Sequence, residues 1–214
     1  MSEVLTPSVI AVLKVMHPNF KKRFYTRELA KLAGVSTWVV SREFIRLVKE
    51  EIVKQEQEGR EKYYSLNLSS PKTRALSQLF ESERRERFYS NNRKLSWALD
   101  EFSKRVFDFL PQVQSVILFG SASRGQLSKT SDIDLLVLVP TAQQEAFNEL
   151  MKSVDELASD VRARYGYPLS AVTMTIKDFE TAFHGKKRIA EDILRDGIVL
   201  FGEERYYQLL ARLV

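Results

Sequence analysis

Cysteine is absent from the 214 residues. That excludes disulfide scaffolds, thiolate zinc sites and cysteine nucleophiles, and it fits a reducing compartment. Histidine occurs only at His17 and His184, so a histidine metal cluster or a Ser-His-Asp triad is not expected, and both rings should be single exposed side chains. No apolar run approaches the length of a membrane span, and the opening residues lack the basic start and small-residue cleavage site of a secretory signal. The expectation is a soluble, cytoplasmic protein with no membrane partner. Six prolines and eight glycines are too few for a collagen-like or low-complexity chain. What is present, 44% hydrophobic and 29% charged residues, is an ordinary globular composition.

The charge is unevenly placed. Residues 1–80 carry 14 Lys+Arg and 8 Asp+Glu, a net +6, whereas the remaining residues sum to −1. A small basic region on a near-neutral remainder points to a nucleic-acid module attached to something else.

Asn67-Leu68-Ser69-Ser70-Pro71 breaks the pattern, and Pro71 can open a helix as its first residue. From 72 to 110 the text is polar and helical in period, with Leu76, Leu79, Phe80, Leu95, Leu99, Phe102, Val106 and Leu110 as an apolar stripe. Within it, Glu83-Arg84-Arg85-Glu86-Arg87 reads as a solvated helix face, and Trp97 as a packing residue. After Pro111, β-rich runs at 116–119, 133–139, 169–175 and 198–201 alternate with helices, which argues for an α/β domain. Three segments follow: 1–70, a helical connector at 71–110, and 111–214.

In the first segment, Val9, Ile10, Leu13 and Met16 recur at helical spacing, leaving Lys14 outside. Thr26 is placed to cap a helix ended by Gly34, and Ser36 to cap a second running from Thr37 to about Glu50. Val39, Val40, Phe44 and Leu47 form its inner stripe. Thr37, Trp38, Ser41, Arg42, Arg46 and Lys49 remain outside, a face suited to a major groove. Two strand-like runs around a polar turn with Gly59 and Arg60 follow. Helix, helix, turn, helix and hairpin together resemble winged helix-turn-helix regulators over about residues 5–68. The resemblance implies double-stranded DNA, with Arg42 and Arg46 reading or anchoring and Arg60 and Lys62 on phosphate. A homodimer is also common among such regulators. The rival reading is a protein-association module, because Glu43, Glu50, Glu51, Glu56, Glu58 and Glu61 dilute the positive field.

The second candidate site lies in the stretch from Ile117 to Val137. An apolar strand ends in Gly120-Ser121, where a short helix should begin; glycine admits a phosphate close to the backbone, and free N–H groups at a helix start favour an anion. Asp132 and Asp134 head the next strand, and alternation puts both on one face, about 7 Å apart at their backbones. Two such carboxylates repel and lose hydration unless a proton or a cation sits between them, and hard oxygen ligands point to Mg²⁺ or Mn²⁺.

Gly120-Ser121, ten residues, then Asp132-Ile133-Asp134 resembles the signature of the DNA polymerase β-like nucleotidyltransferase superfamily, in its minimal-nucleotidyltransferase branch, over about residues 93–203. Arg124-Gly125 and Ser131 also fit that branch. The resemblance implies a two-domain α+β or α/β chain whose second part has a small mixed sheet flanked by helices. It implies nucleoside triphosphate binding, ATP first among candidates, two divalent metals, and nucleotidyl transfer with loss of pyrophosphate. Gly120, Ser121 and Arg124 would hold the nucleotide; Asp132 and Asp134 would hold metal. Active members add a third carboxylate from a later strand, and here Ser170 stands where it is expected, while Asp178 and Glu180 lie beyond that strand and would need a bend to reach. Three functions follow: an enzyme, a DNA-binding regulator whose second domain senses nucleotide, and an antitoxin acting on a HEPN-type partner. Residues 190–202 resemble the branch's closing helix and strand and read as structural.

Overall fold

The computed structural model describes residues 5–126, 132–140 and 143–214. Ser131 of the motif lies outside the described residues. Two compact units divide the chain. The first comprises residues 1–80 with 207–212 and 214, and the second residues 81–206 with 213.

In the first unit, α1 (Pro7–Met16) starts on Thr6, whose hydroxyl accepts the Val9 N–H, and Pro7 occupies a position where no N–H is needed. Its buried face is Val9, Val12, Leu13 and Met16, with Ile10 only half-buried. The helix α2 (Thr26–Ala33) begins at Thr26 itself, with extended Tyr25 at the cap, so Thr26 is not the capping residue; its hydroxyl pairs with Tyr64. Gly34, at φ +67°, ends that helix in the left-handed conformation. Ser36 accepts the Val39 N–H at 3.2 Å and starts α3 (Thr37–Lys49).

A strand too short to read from sequence, β1 (Phe24–Tyr25), pairs with β3 (Glu61–Leu66), which pairs in turn with β2 (Val53–Glu58). All pairings are antiparallel. Only Gly59 and Arg60 separate β2 from β3, and Gly59 takes φ +61°. His17 is buried rather than exposed: its Nε2 lies 3.2 Å from the Tyr207 hydroxyl and its ring meets Phe80 edge-on. His184 is exposed, as expected.

The helix α4 (Pro71–Asn91) opens on Pro71. The second unit takes up its later turns, followed by α5 (Arg93–Phe109), β4 (Ser115–Leu118), α6 (Gly120–Ser123), β5 (Ile133–Val139), α7 (Gln144–Tyr165), β6 (Leu169–Thr175), α8 (Ile176–His184), α9 (Arg188–Asp196), β7 (Ile198–Phe201) and α10 (Glu203–Leu213). The sheet order is β6-β5-β4-β7; β5 and β6 run parallel and the other pairs antiparallel. The sheet is therefore mixed and the chain α+β, with ten α-helices among the described residues. Leu95, Leu99, Phe102 and Val106 of α5 pack with Leu118, Leu135, Val137 and, from α7, Val154 and Val161. That inward stripe leaves Trp97 61% exposed, and Leu79 is exposed as well, against expectation for both.

The 83–87 run is not a plain solvated face. Arg84 donates to the carbonyls of Asp196 and Gly197, and Arg85 to those of Val199 and Leu200. Glu81, 1% exposed, accepts the Val199 N–H at 2.8 Å. Side chains of α4 thus satisfy the backbone groups along the outer edge of β7 that another strand would otherwise pair.

Candidate functional site

Strand β4 ends at Leu118, and Phe119 stays extended, its N–H donating to the Asp134 carbonyl at 3.0 Å. That bond aligns the end of one strand with the head of the next. Gly120 then turns the chain at φ +74°, and a Cβ built on it would stand 2.2 Å from Asp134 Oδ2. Gly120 is therefore required twice, for its backbone conformation and because the Asp134 carboxylate lies against its Cα. The helix it opens has four residues. So short a turn offers a few local N–H groups and little macrodipole.

Asp132 precedes β5 and is exposed, whereas Asp134, the second residue of β5, is half-buried. Loss of hydration pushes the Asp134 carboxyl above its ordinary range, the Asp132 charge adds to the rise, and Arg124 opposes it. The Gly120 turn packs against Asp134, whose charge is acted on in opposite senses by Asp132 and Arg124. Ser170 is the register partner of Asp134 on β6. A hydroxyl, not a carboxylate, stands beside it. Asp178 is engaged elsewhere: its backbone N–H and carboxylate both bond Thr175 at the start of α8. Among the described residues no three His, Cys, Asp or Glu side chains converge as a metal-holding group. The donors present, one exposed and one desolvated carboxylate, suit Mg²⁺ or Mn²⁺, which are held by one or two carboxylates and complete their shell with phosphate oxygens and water.

Sequence reasoning missed Asp196. Its Oδ2 accepts from Arg124 Nη1 at 3.0 Å and from Arg195 Nε at 2.9 Å. Across the sequence separation of 72 between Arg124 and Asp196, no periodicity connects them.

In the first unit, Thr37, Trp38, Ser41, Arg42 and Arg46 are exposed on α3, and Arg60 and Lys62 are exposed at the hairpin turn and on β3. Arg42 stacks over Trp38 at 4.4 Å and bonds Glu43. Glu43 is buried, with one oxygen 3.8 Å from Arg46 and lacking a hydrogen bond. It therefore acts as an internal counter-charge to both arginines and not as a solvent-facing acid. Glu56 and Glu58 are likewise held by Arg23.

Residues 99–202 match the family model described as a nucleotidyltransferase domain. The C-terminal half of the chain thus carries a nucleotidyltransferase domain. Among curated proteins, the bifunctional uridylyltransferase/uridylyl-removing enzyme of Burkholderia lata is 33% identical over 86 residues. The enzyme of the same description from Burkholderia orbicola is 31% identical over the same length. Each alignment covers 39% of this chain, and this chain spans about a tenth of the length of those relatives. A crystal structure of a toxin–antitoxin with AMP-PNP is similar at 23% identity and a TM-score of 0.36, over 53% of this chain and 81% of that one. A mutant of the toxin–antitoxin MntA-HpeT is similar at 22% and 0.31, over 51% and 78%. At these scores the likeness supports no functional statement.

Proposed function

We propose that the second unit binds a nucleoside triphosphate, ATP first among candidates, with Mg²⁺ or Mn²⁺, and transfers its nucleotidyl group to an acceptor. The observation that carries this is the packing of the Gly120 Cα against the Asp134 carboxylate, which joins the candidate phosphate cradle to the candidate metal ligands. Gly120 and Ser121 hold the triphosphate, Arg124 balances its charge, and Asp132 and Asp134 hold metal. A metal held there would supply positive charge against the phosphates while the bond between the α-phosphorus and pyrophosphate breaks and the bond to the acceptor oxygen forms. The acceptor's proton must leave, and the Ser170 hydroxyl is a poor base for it. Ser170 is therefore the specific observation that favours a second reading, in which nucleotide is bound and sensed with little turnover.

A narrower form places the acceptor on a HEPN-type protein partner, as in an antitoxin. The resemblance to the minimal branch supports it. For the first unit we propose a winged helix-turn-helix on double-stranded DNA, on homodimers of the chain. Support comes from the Gly34 turn, the Ser36 cap and the exposed face of α3.

Labelled triphosphates with Mg²⁺ or Mn²⁺ and protein or RNA acceptors, a HEPN-type protein included, should yield labelled acceptor. Asp132→Asn with Asp134→Asn should abolish the label, and persistent labelling in that double variant removes the proposed site. DNA affinity should fall across all sequences when Arg42 and Arg46 become Ala, and should weaken with salt. Unchanged affinity would reject α3 as the reading helix.

A further inference from the structure

We infer that Asp196 is a positioning residue for the nucleotide site: its carboxylate holds the Arg124 guanidinium in place at the end of the Gly120 turn before a triphosphate arrives. The inference rests on the nucleotidyltransferase reading above and extends it to an element that looks structural in sequence.

Asp196 is the last residue of α9, where a negative charge opposes the helix dipole. Helix stability therefore gives no reason for an acid there. Its carboxylate, 18% exposed, binds Arg124 and Arg195 through the same oxygen, Oδ2. Its main chain is held as well: Arg84 of α4 donates to the Asp196 carbonyl at 2.9 Å and to the Gly197 carbonyl at 2.7 Å. The next residue is closely packed, since a Cβ on Gly197 would meet the Ile193 carbonyl at 2.4 Å and Ile117 at 3.0 Å. Asp196 is thus anchored on its backbone and extends its side chain to Arg124, a cation whose charge reaches Asp134. Arg124 directly follows the four-residue turn that Gly120 opens, so fixing its guanidinium sets where positive charge stands relative to the cradle. An arginine loses considerable rotamer freedom when it grips a ligand; the Asp196 pair meets that cost before binding.

The test uses the full chain and a probe without a base, Mg²⁺ with inorganic tripolyphosphate, followed by calorimetry. Asp196→Ala should weaken binding about three- to tenfold, the size expected for re-immobilising one long side chain. Asp196→Glu should restore most of it. In an Arg124→Ala background the same Asp196→Ala change should have no further effect, and the melting temperature of Asp196→Ala should match that of the parent.

Equal weakening in both backgrounds would assign Asp196 a structural role and overturn the inference. So would tighter binding by Asp196→Ala, since Asp196 would then be a competitor for Arg124 and not its support. Failure of the unsubstituted chain to bind the probe, or binding that survives Asp132→Asn with Asp134→Asn, would overturn the nucleotide site itself and this inference with it.

Discussion

Asp134 is desolvated by the fold and faces a second acid, so its ionisation opposes folding in the absence of a cation. Its folded-state pKa is raised above the unfolded value. The stability it contributes is present below the ordinary carboxylate range and is lost as pH rises through the raised value. Asp134→Asn should accordingly melt at the same temperature as the parent, or higher, at neutral pH without metal. The advantage should vanish in acid, and Mn²⁺ should stabilise the parent alone. A variant that melts lower at neutral pH would contradict the desolvation account. Gly120 is the complementary case. Gly120→Ala forces a methyl group onto the Asp134 carboxylate at a φ of +74°, so Mn²⁺ affinity should fall roughly tenfold or more. Gly59→Ala, also at positive φ but with open space around it, should leave Mn²⁺ binding unchanged, as titration followed by electron paramagnetic resonance would record.

At the level of elements, the outer edge of β7 is completed by side chains of α4. Glu81→Ala removes the acceptor of the buried Val199 N–H and should cost about 1–3 kcal/mol in urea denaturation. Arg87→Ala, at an exposed position of the same helix, should stay within about 0.5 kcal/mol of the parent. Helix α3 makes a different point. Glu43 lies inside and neutralises Arg42 and Arg46 from below. If that helix reads DNA, Glu43→Gln releases two cations toward phosphate. Affinity should rise, and the dependence of log affinity on log salt should steepen by about one for each phosphate gained. A fluorescence anisotropy titration at several salt concentrations would show it, and an unaltered slope would count against α3 as the contact element.

For the whole molecule, binding of metal and triphosphate to the native state alone should raise stability by mass action, by about 2.7 kcal/mol at a hundred times Kd. The double variant of Asp132 and Asp134 should show no such rise in thermal melting. Among the described residues no helix is long and apolar enough to cross a membrane.

Local patterns determined a great deal here without coordinates. Three of the four strands of the larger sheet follow from runs of β-branched and apolar residues with the bounds they have in the structure. The Gly34 and Ser36 helix ends follow from backbone chemistry confined to a few neighbouring residues. The Gly-Ser and Asp-x-Asp stretch is a contiguous motif and so was visible as a candidate site. Tertiary structure alone decided what depends on positions far apart in the chain. The two-residue strand β1 exists only because β3 lies beside it. The inward turn of Glu43, the burial of His17, the grip of Arg84 and Arg85 on β7, and the pairing of Asp196 with Arg124 each join groups that no period connects. A side chain's charge is written in the sequence; whether water, a counter-ion or a neighbouring backbone meets that charge depends on which distant segments the packed core brings together.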